Sequence, residues 1–260
     1  ARGDKRERAS EEPLMASRIL IIRGGAIGDF ILTLPAIRLL REAFPSARLE
    51  ILGYKHIIAL AEMSGYADAT RSIEYAPLAS FFSRAGELSA ELVEYFAGFQ
   101  QVVSYLFDPD QIFATNLKRA GVRNFLAAPG RMTDQEHAAR QLARPLESLA
   151  LYLDDPAARI VPNEPRMVDA NLFAIHPGSG SERKCWPRER FVVLAQSLLN
   201  ESKARKLLLV GGEADEERLA ELEERLPNDR ISLARNLSLP VLANLLQNCG
   251  MFIGHDSGIS

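Results

Sequence analysis

The apolar positions of this chain fall into short, nearly unbroken runs separated by stretches of helical spacing. Residues 18–23 (Arg18-Ile19-Leu20-Ile21-Ile22-Arg23) form such a run, as strands buried on both faces do. A glycine turn follows. Then Ile31, Leu34, Ile37 and Leu40 recur at helical spacing, which predicts a helix over 30–43 closed by Pro45. A second strand is expected at 48–53. Helical stretches near 56–63, 86–97, 110–120 and 135–153 then alternate with short strands near 70–75, 101–106 and 122–127. This alternation predicts an α/β fold with a parallel sheet covered by helices on both faces.

The segment from Asp155 to Pro165 breaks the pattern with three prolines and reads as a linker. The pattern then restarts: strand 171–176, helix 188–202, strand 206–210, helix 214–225, strand 231–234, helix 239–247 and strand 251–253. The expected organisation is a disordered leader at 1–15, a Rossmann-like domain at 16–155, a linker at 156–170 and a second Rossmann-like domain at 171–260. Doubly wound domains usually have five or six strands, so the second is expected to be incomplete at its C-terminus. Met15 reads as a natural start, three residues before the first strand.

Composition narrows the function. The chain has 260 residues, 47% hydrophobic and 25% charged, with a formal net charge of -3. A nucleic-acid partner would normally call for a basic excess. Cys185 and Cys249 are the two cysteines, without metal-ligand spacing. No apolar run is long enough to span a bilayer, and the charged N-terminus lacks the apolar stretch of a signal peptide. A cytoplasmic protein is expected, with attachment to the inner face of the membrane left open.

Four motifs follow strands. In Arg23-Gly24-Gly25-Ala26-Ile27-Gly28-Asp29, glycines let backbone N–H groups approach a ligand, and the helix start favours negative charge. The spacing fits neither a dinucleotide fingerprint nor a P-loop. It does place Asp29 at the carboxyl edge of a parallel sheet, where such sheets bind ligands. There a carboxylate can act as general base. The competing reading is an N-cap aspartate in a turn. The loop from His176-Pro177-Gly178-Ser179-Gly180 to Lys184-Cys185-Trp186-Pro187 combines exposed amides with a cation, which suits a diphosphate. Its competitor is an ordinary loop rich in Gly and Ser. Glu213, in Gly211-Gly212-Glu213-Ala214-Asp215, is placed to accept hydrogen bonds from a ribose, or else to complement a helix dipole. Gly254-His255-Asp256-Ser257-Gly258 ends a strand and offers amides to an anion, with His255 read as a helix-entry residue. Asp108-Pro109-Asp110 has the form of a metal-binding D-x-D, but Asp110 is expected to cap the next helix. Phe81, Phe82 and Trp186 read as packing residues.

In this order, these motifs resemble glycosyltransferase family nine, the ADP-heptose–lipopolysaccharide heptosyltransferases. The matches are Gly28-Asp29 with Leu34-Pro35-Ala36, the His176-Pro177-Gly178 loop with Lys184-Cys185-Trp186-Pro187, and Asp256-Ser257-Gly258. The resemblance runs from Arg18 to Ser260. It implies a GT-B fold, with two Rossmann-like domains facing a cleft, and inverting transfer without a metal or other cofactor. The implied partners are a nucleoside-diphosphate sugar and a lipid-linked glycan acceptor; oligomeric state is not implied. The family's catalytic carboxylate falls on Asp29, beside an acceptor-side loop of Gly25 and Gly28. Its donor-phosphate residues fall on Ser179, Gly180, Lys184, Asp256, Ser257 and Gly258, and its ribose-binding acid on Glu213. The family's closing His-bearing helix lies past the matched residues, so an incomplete donor pocket is expected. Two alternatives stay open: a GT-B-type sugar-nucleotide epimerase, and a non-catalytic nucleotide-binding module.

Overall fold

A computed structural model describes residues 17–128 and 132–260; the expected leader lies outside them. The first half forms a five-stranded parallel sheet from β1 (Arg18–Arg23), β2 (Arg48–Gly53), β3 (Ala69–Ser72), β4 (Gln101–Ser104) and β5 (Phe125–Ala127). Their spatial order is β3-β2-β1-β4-β5. The central strand shows why its sequence is apolar throughout. Ile19 and Ile21 enter the core on one face, packed on Phe30, Leu34 and Ile37. Leu20 and Ile22 enter the other, with Phe81, Phe96 and Phe113. Successive strand residues point to opposite faces, so a strand buried on both sides has no polar positions to alternate. Burial of each such side chain contributes about 1.5–3 kcal/mol.

The helices of this half are α1 (Ile27–Ala43), α2 (Lys55–Met63), α3 (Ala90–Ala97), α4 (Ile112–Arg119) and α5 (Ala138–Ala143). α1 starts three residues before the expected position, and Pro35 lies inside it. Two expected helices are shorter than their periodicity. A 3-10 turn over Ala76–Phe82 precedes α3, which begins where Ser89 accepts the Leu92 amide at 3.4 Å. The long stretch at 135–153 resolves into α5 and a 3-10 turn at Arg144–Leu149, because Pro145 has no N–H to continue the ladder.

The second sheet contains β6 (Asp169–His176), β7 (Lys206–Gly211), β8 (Ile231–Arg235) and β9 (Cys249–Gly254). They are parallel, in the order β8-β7-β6-β9. The winding therefore repeats that of the first sheet, with β6 in the place of β1 and β9 in the place of β4. Its helices are α6 (Arg188–Glu201), α7 (Glu216–Arg225) and α8 (Leu239–Leu246). The chain between the sheets is pinned to α8. Asn244 donates to Asn163 at 2.8 Å, and Asn248 accepts the Met167 amide at 2.5 Å. An apolar seam joins the halves, with Leu239 and Ala243 of α8 packed against the core that holds Ile57 and Leu60 of α2. Among the described residues, no helix is long and apolar enough to cross a membrane.

Candidate active site

In each sheet the strand order reverses beside the central strand, between β1 and β4 and between β6 and β9. Ligands of open α/β sheets bind at such switch points, beyond the carboxyl ends of the strands. Here the two switch points face one another. They meet at Gly28 and Gly258, where a Cβ built on Gly258 would come within 2.9 Å of the Gly28 nitrogen. A side chain at 258 would wedge the halves apart.

The turn after β1 is short. Gly25 has φ +96, a conformation open to glycine, and a Cβ there would lie 2.9 Å from Asp29 Oδ2. Asp29 is the third residue of α1, not its N-cap, and its Oδ2 accepts the Ala26 amide at 3.1 Å. The capping reading and the functional one therefore describe the same carboxylate. Arg23 braces it from below. Its guanidinium donates to the Asp29 carbonyl at 3.0 Å and the Tyr105 carbonyl at 3.1 Å, and lies 3.7 Å from Asp29 Oδ1. Burial lowers the Arg23 pKa, with Asp29 acting in the opposite direction. Half of the Asp29 side chain stays exposed, 55% by area, which leaves oxygen lone pairs for a ligand. It lines a pocket of about 510 Å³ with Phe82, Leu106, Phe107 and Met132.

The loop after β6 is long and held from outside itself. Trp186 N donates to His255 Nε2 at 2.7 Å, so the His255 hydrogen resides on Nδ1, which donates to the Gly178 carbonyl at 3.0 Å. The ring also packs edge-on to Phe191. His255 is thus a clasp between two motifs, where the sequence suggested only a helix-entry residue. Arg218, buried, donates to the Trp186 carbonyl at 3.2 Å and pairs with Glu182 at 2.5 Å. Lys184 Nζ lies 2.9 Å from Asp256 Oδ2, and this contact holds the Asp256 carboxyl below its usual range. Ser179 Oγ reaches the Asp256 carbonyl at 3.4 Å. The amides of Ser179, Gly180, Ser257 and Gly258 donate to no protein acceptor among the described residues. These four residues line a cleft of about 620 Å³ between the halves, which also receives Gly25 and Gly28.

Glu213 begins a 3-10 turn after β7 and is exposed. Of the acids in this turn, the one that lines the cleft is Asp215, two residues on, buried against His176 at 3.4 Å. Sequence reasoning passed over both. Their signal was positional, since each lies at or just beyond the end of a buried strand. The D-x-D pair divides differently from expectation. Asp108, not Asp110, caps α4, accepting the Ile112 and Ala114 amides at 2.9 Å each. Asp110 pairs with Arg84 on the surface at 3.3 Å. The Asp108–Gln111 turn brings the first carboxylate back over the helix start. Phe81 is fully buried as expected, while Phe82 stacks on Phe113 and stays half-exposed, as does Trp186.

Residues 129–260 match the sequence model of glycosyltransferase family 9 (heptosyltransferase). The chain belongs to this family. No curated protein sequence matches it. Among solved structures, the glycosyltransferase family 9 protein of Veillonella parvula superposes with a TM-score of 0.70 at 20% identity, over 93% of this chain and 76% of that one. ADP-heptose lps heptosyltransferase II of E. coli gives 0.70 at 14%, over 93% and 80%. E. coli heptosyltransferase WaaC with ADP gives 0.69 at 16%, over 94% and 82%. At these identities the likeness establishes the fold, which is GT-B. The family 9 protein is a glycosyltransferase, and the cleft and the Asp29 pocket at its switch points share Gly25 and Tyr54.

Proposed function

We propose that this glycosyltransferase moves a sugar, heptose by the family's default, from a nucleoside diphosphate (ADP-heptose) to a hydroxyl of a lipid-linked glycan. One observation carries the reading. The pocket that contains Asp29 and the cleft that contains the free amides adjoin at Gly25, which lines both. A carboxylate is thereby set beside an anion-binding cleft without facing into it.

In the proposed reaction the acceptor hydroxyl lies against Asp29. As its oxygen bonds to the anomeric carbon, the proton passes to the carboxylate and the carbon–oxygen bond to the diphosphate breaks. The leaving diphosphate keeps that electron pair. Its charge develops beside the amides of Ser179, Gly180, Ser257 and Gly258 and beside Lys184, which exchanges Asp256 for a phosphate oxygen. Preorganised donors of this kind contribute about 3–4 kcal/mol each when well aimed. They supply the neutralisation that a divalent metal provides elsewhere, so the proposed reaction is metal-independent. Attack from the Asp29 side, opposite the diphosphate, inverts the anomeric centre. A lipid-linked acceptor would bring the enzyme to the inner membrane surface as a peripheral protein.

Two measurements test this. A ligand that binds only the native state raises apparent stability by mass action, so ADP should protect the protein from thermal unfolding more than UDP or GDP. Release of ADP from ADP-heptose should then require a glycan acceptor. Release of the same size without acceptor would favour an epimerase, and binding without any release would favour a non-catalytic module.

A further inference from the structure

His176 and Asp215 lie buried in the floor of the cleft, and the transfer chemistry does not use them. Asp215 Oδ2 accepts the Gly212 amide at 2.9 Å and faces His176 Nε2 at 3.4 Å. The two glycine loops close over this carboxylate. A Cβ on Gly178 would overlap Asp215 Oδ1, and one on Gly211 would come within 2.9 Å of Asp215 Cβ. The pair therefore sets the distance between the 176–187 loop and the turn after β7. It also creates an electrostatic conflict, because a buried carboxylate lies beneath a cleft that, on the reading above, takes a diphosphate. Like charges brought together out of water repel strongly unless one is neutralised.

We propose that His176 and Asp215 are positioning residues for the donor and that His176 takes up a proton when the nucleotide binds. This rests on the donor reading of the cleft. A carboxylate only accepts hydrogen bonds, so Nε2 carries the hydrogen in the neutral ring and Nδ1 is bare. Nδ1 is buried and has no partner among the described residues, so a proton adds there without breaking a contact. The added charge offsets Asp215 while the Nε2 bond is kept. Among the described residues, no Lys or Arg pairs with Asp215, whose one ionic partner is His176. Asp215, from the turn after β7, and His255, from the end of β9, are the groups whose charge acts on the ring. His255 has both nitrogens engaged with Gly178 and Trp186. Lys184 is paired with Asp256 and Arg218 with Glu182, and Glu213 is exposed at the start of the same turn. Without nucleotide the ring is held neutral, since burial lowers its pKa against the pull of Asp215.

The test is calorimetric titration with ADP at pH 7 in two buffers of different ionisation enthalpy, for wild type, His176→Gln and Asp215→Asn. Glutamine can still donate to Asp215 but cannot gain a proton. By linkage, wild type should take up more protons per nucleotide than His176→Gln, with one proton as the ceiling, and its affinity should weaken as pH rises. Asp215→Asn removes the charge that needs offsetting and should bind ADP with little proton uptake, which keeps the test open if His176→Gln does not fold. Equal uptake in wild type and either folded variant would overturn the proposal while leaving the donor site standing. Absence of binding heat with ADP, UDP and GDP alike would overturn the donor reading and this proposal with it.

Discussion

The turn after β1 and the loop after β6 occupy the same place in two sheets of the same winding, yet they are built in opposite ways. The first is short and makes its own contacts: Gly25 permits the turn, Ala26 donates to Asp29, and Arg23 reaches up from the strand beneath. The second is long and depends on His255, Arg218 and the Asp215 floor to hold it. The difference follows from what each presents. The first turn presents one side chain, which the Ala26 amide and Arg23 orient from close by. The second presents backbone amides, which must be left without internal partners. An amide loop that satisfies its own hydrogen bonds cannot bind an anion, so its shape has to be imposed by other parts of the chain.

The sharpest way to break this comparison is to separate the two tasks. Asp29→Asn removes the proposed base and keeps the shape of the turn. Loss of a positioned general base lowers turnover by roughly 10²–10⁴-fold, while ADP binding should stay close to wild type. Steady-state kinetics beside an ADP titration checks this; a parallel loss of both would mean that Asp29 serves the donor cleft too. Gly178→Ala acts on the other loop. Its methyl group competes with Asp215 for the same space, and overpacking of this kind costs about 1–3 kcal/mol. A lowered midpoint in urea and weaker ADP binding are expected, with less effect on turnover at saturating donor.

His255→Ala is the next step down. It removes two hydrogen bonds to the loop, each contributing roughly 0.5–1.5 kcal/mol, and leaves the Gly178 carbonyl and Trp186 amide without them. If the loop is held from outside, the donor KM should rise several-fold while kcat changes little. A loop that held itself would show neither effect. Truncating Arg23, by contrast, should act on the acceptor side, because its hydrogen bonds run to Asp29 and Tyr105.

The same contrast explains what could be read from the sequence. The strands were legible because burial on two faces leaves a continuous apolar signature, and β1, β2 and β7 run close to where their patterns place them. The setting of Asp29 at a helix start was legible because its partners lie within six residues of it. Helix starts were less so: α1 begins at Ile27 because an amide–carboxylate bond closes its first turn, not because apolar spacing begins there. Pro35 inside α1 shows the converse, a local breaker overridden by packing on the sheet. The role of His255 could not be read from its neighbours, since its contacts are 69 and 77 residues away. Asp215 was hidden by Glu213. Two acids at the end of one strand look alike until the fold turns one inward.

The smallest expected effect bears on how each half answers to acid. In the second half, burial lowers the His176 pKa below the ordinary histidine value. The unfolded chain therefore binds a proton at a higher pH than the native one. The stability that the neutral ring contributes is present above the unfolded pKa and is lost as pH falls from about 6.5 towards the folded value. The shifted carboxyls described in the first half, Asp68, Glu91 and Asp155, are all held below their usual values. Burial alone would raise the Asp68 carboxyl, but the Leu49 amide and Arg41 outweigh it and hold it below its usual value. Its contribution is lost only as pH falls through the carboxylate range, below about 4. Hydrogen exchange at stepped pH should thus show β6 and β7 losing protection as pH falls below about 6.5, before β1 and β2 do. His176→Gln should abolish that early step and leave the later one in place. If both sheets lost protection together, the two halves would be a single cooperative unit, and the apolar seam between α2 and α8 would outweigh the difference between the loops.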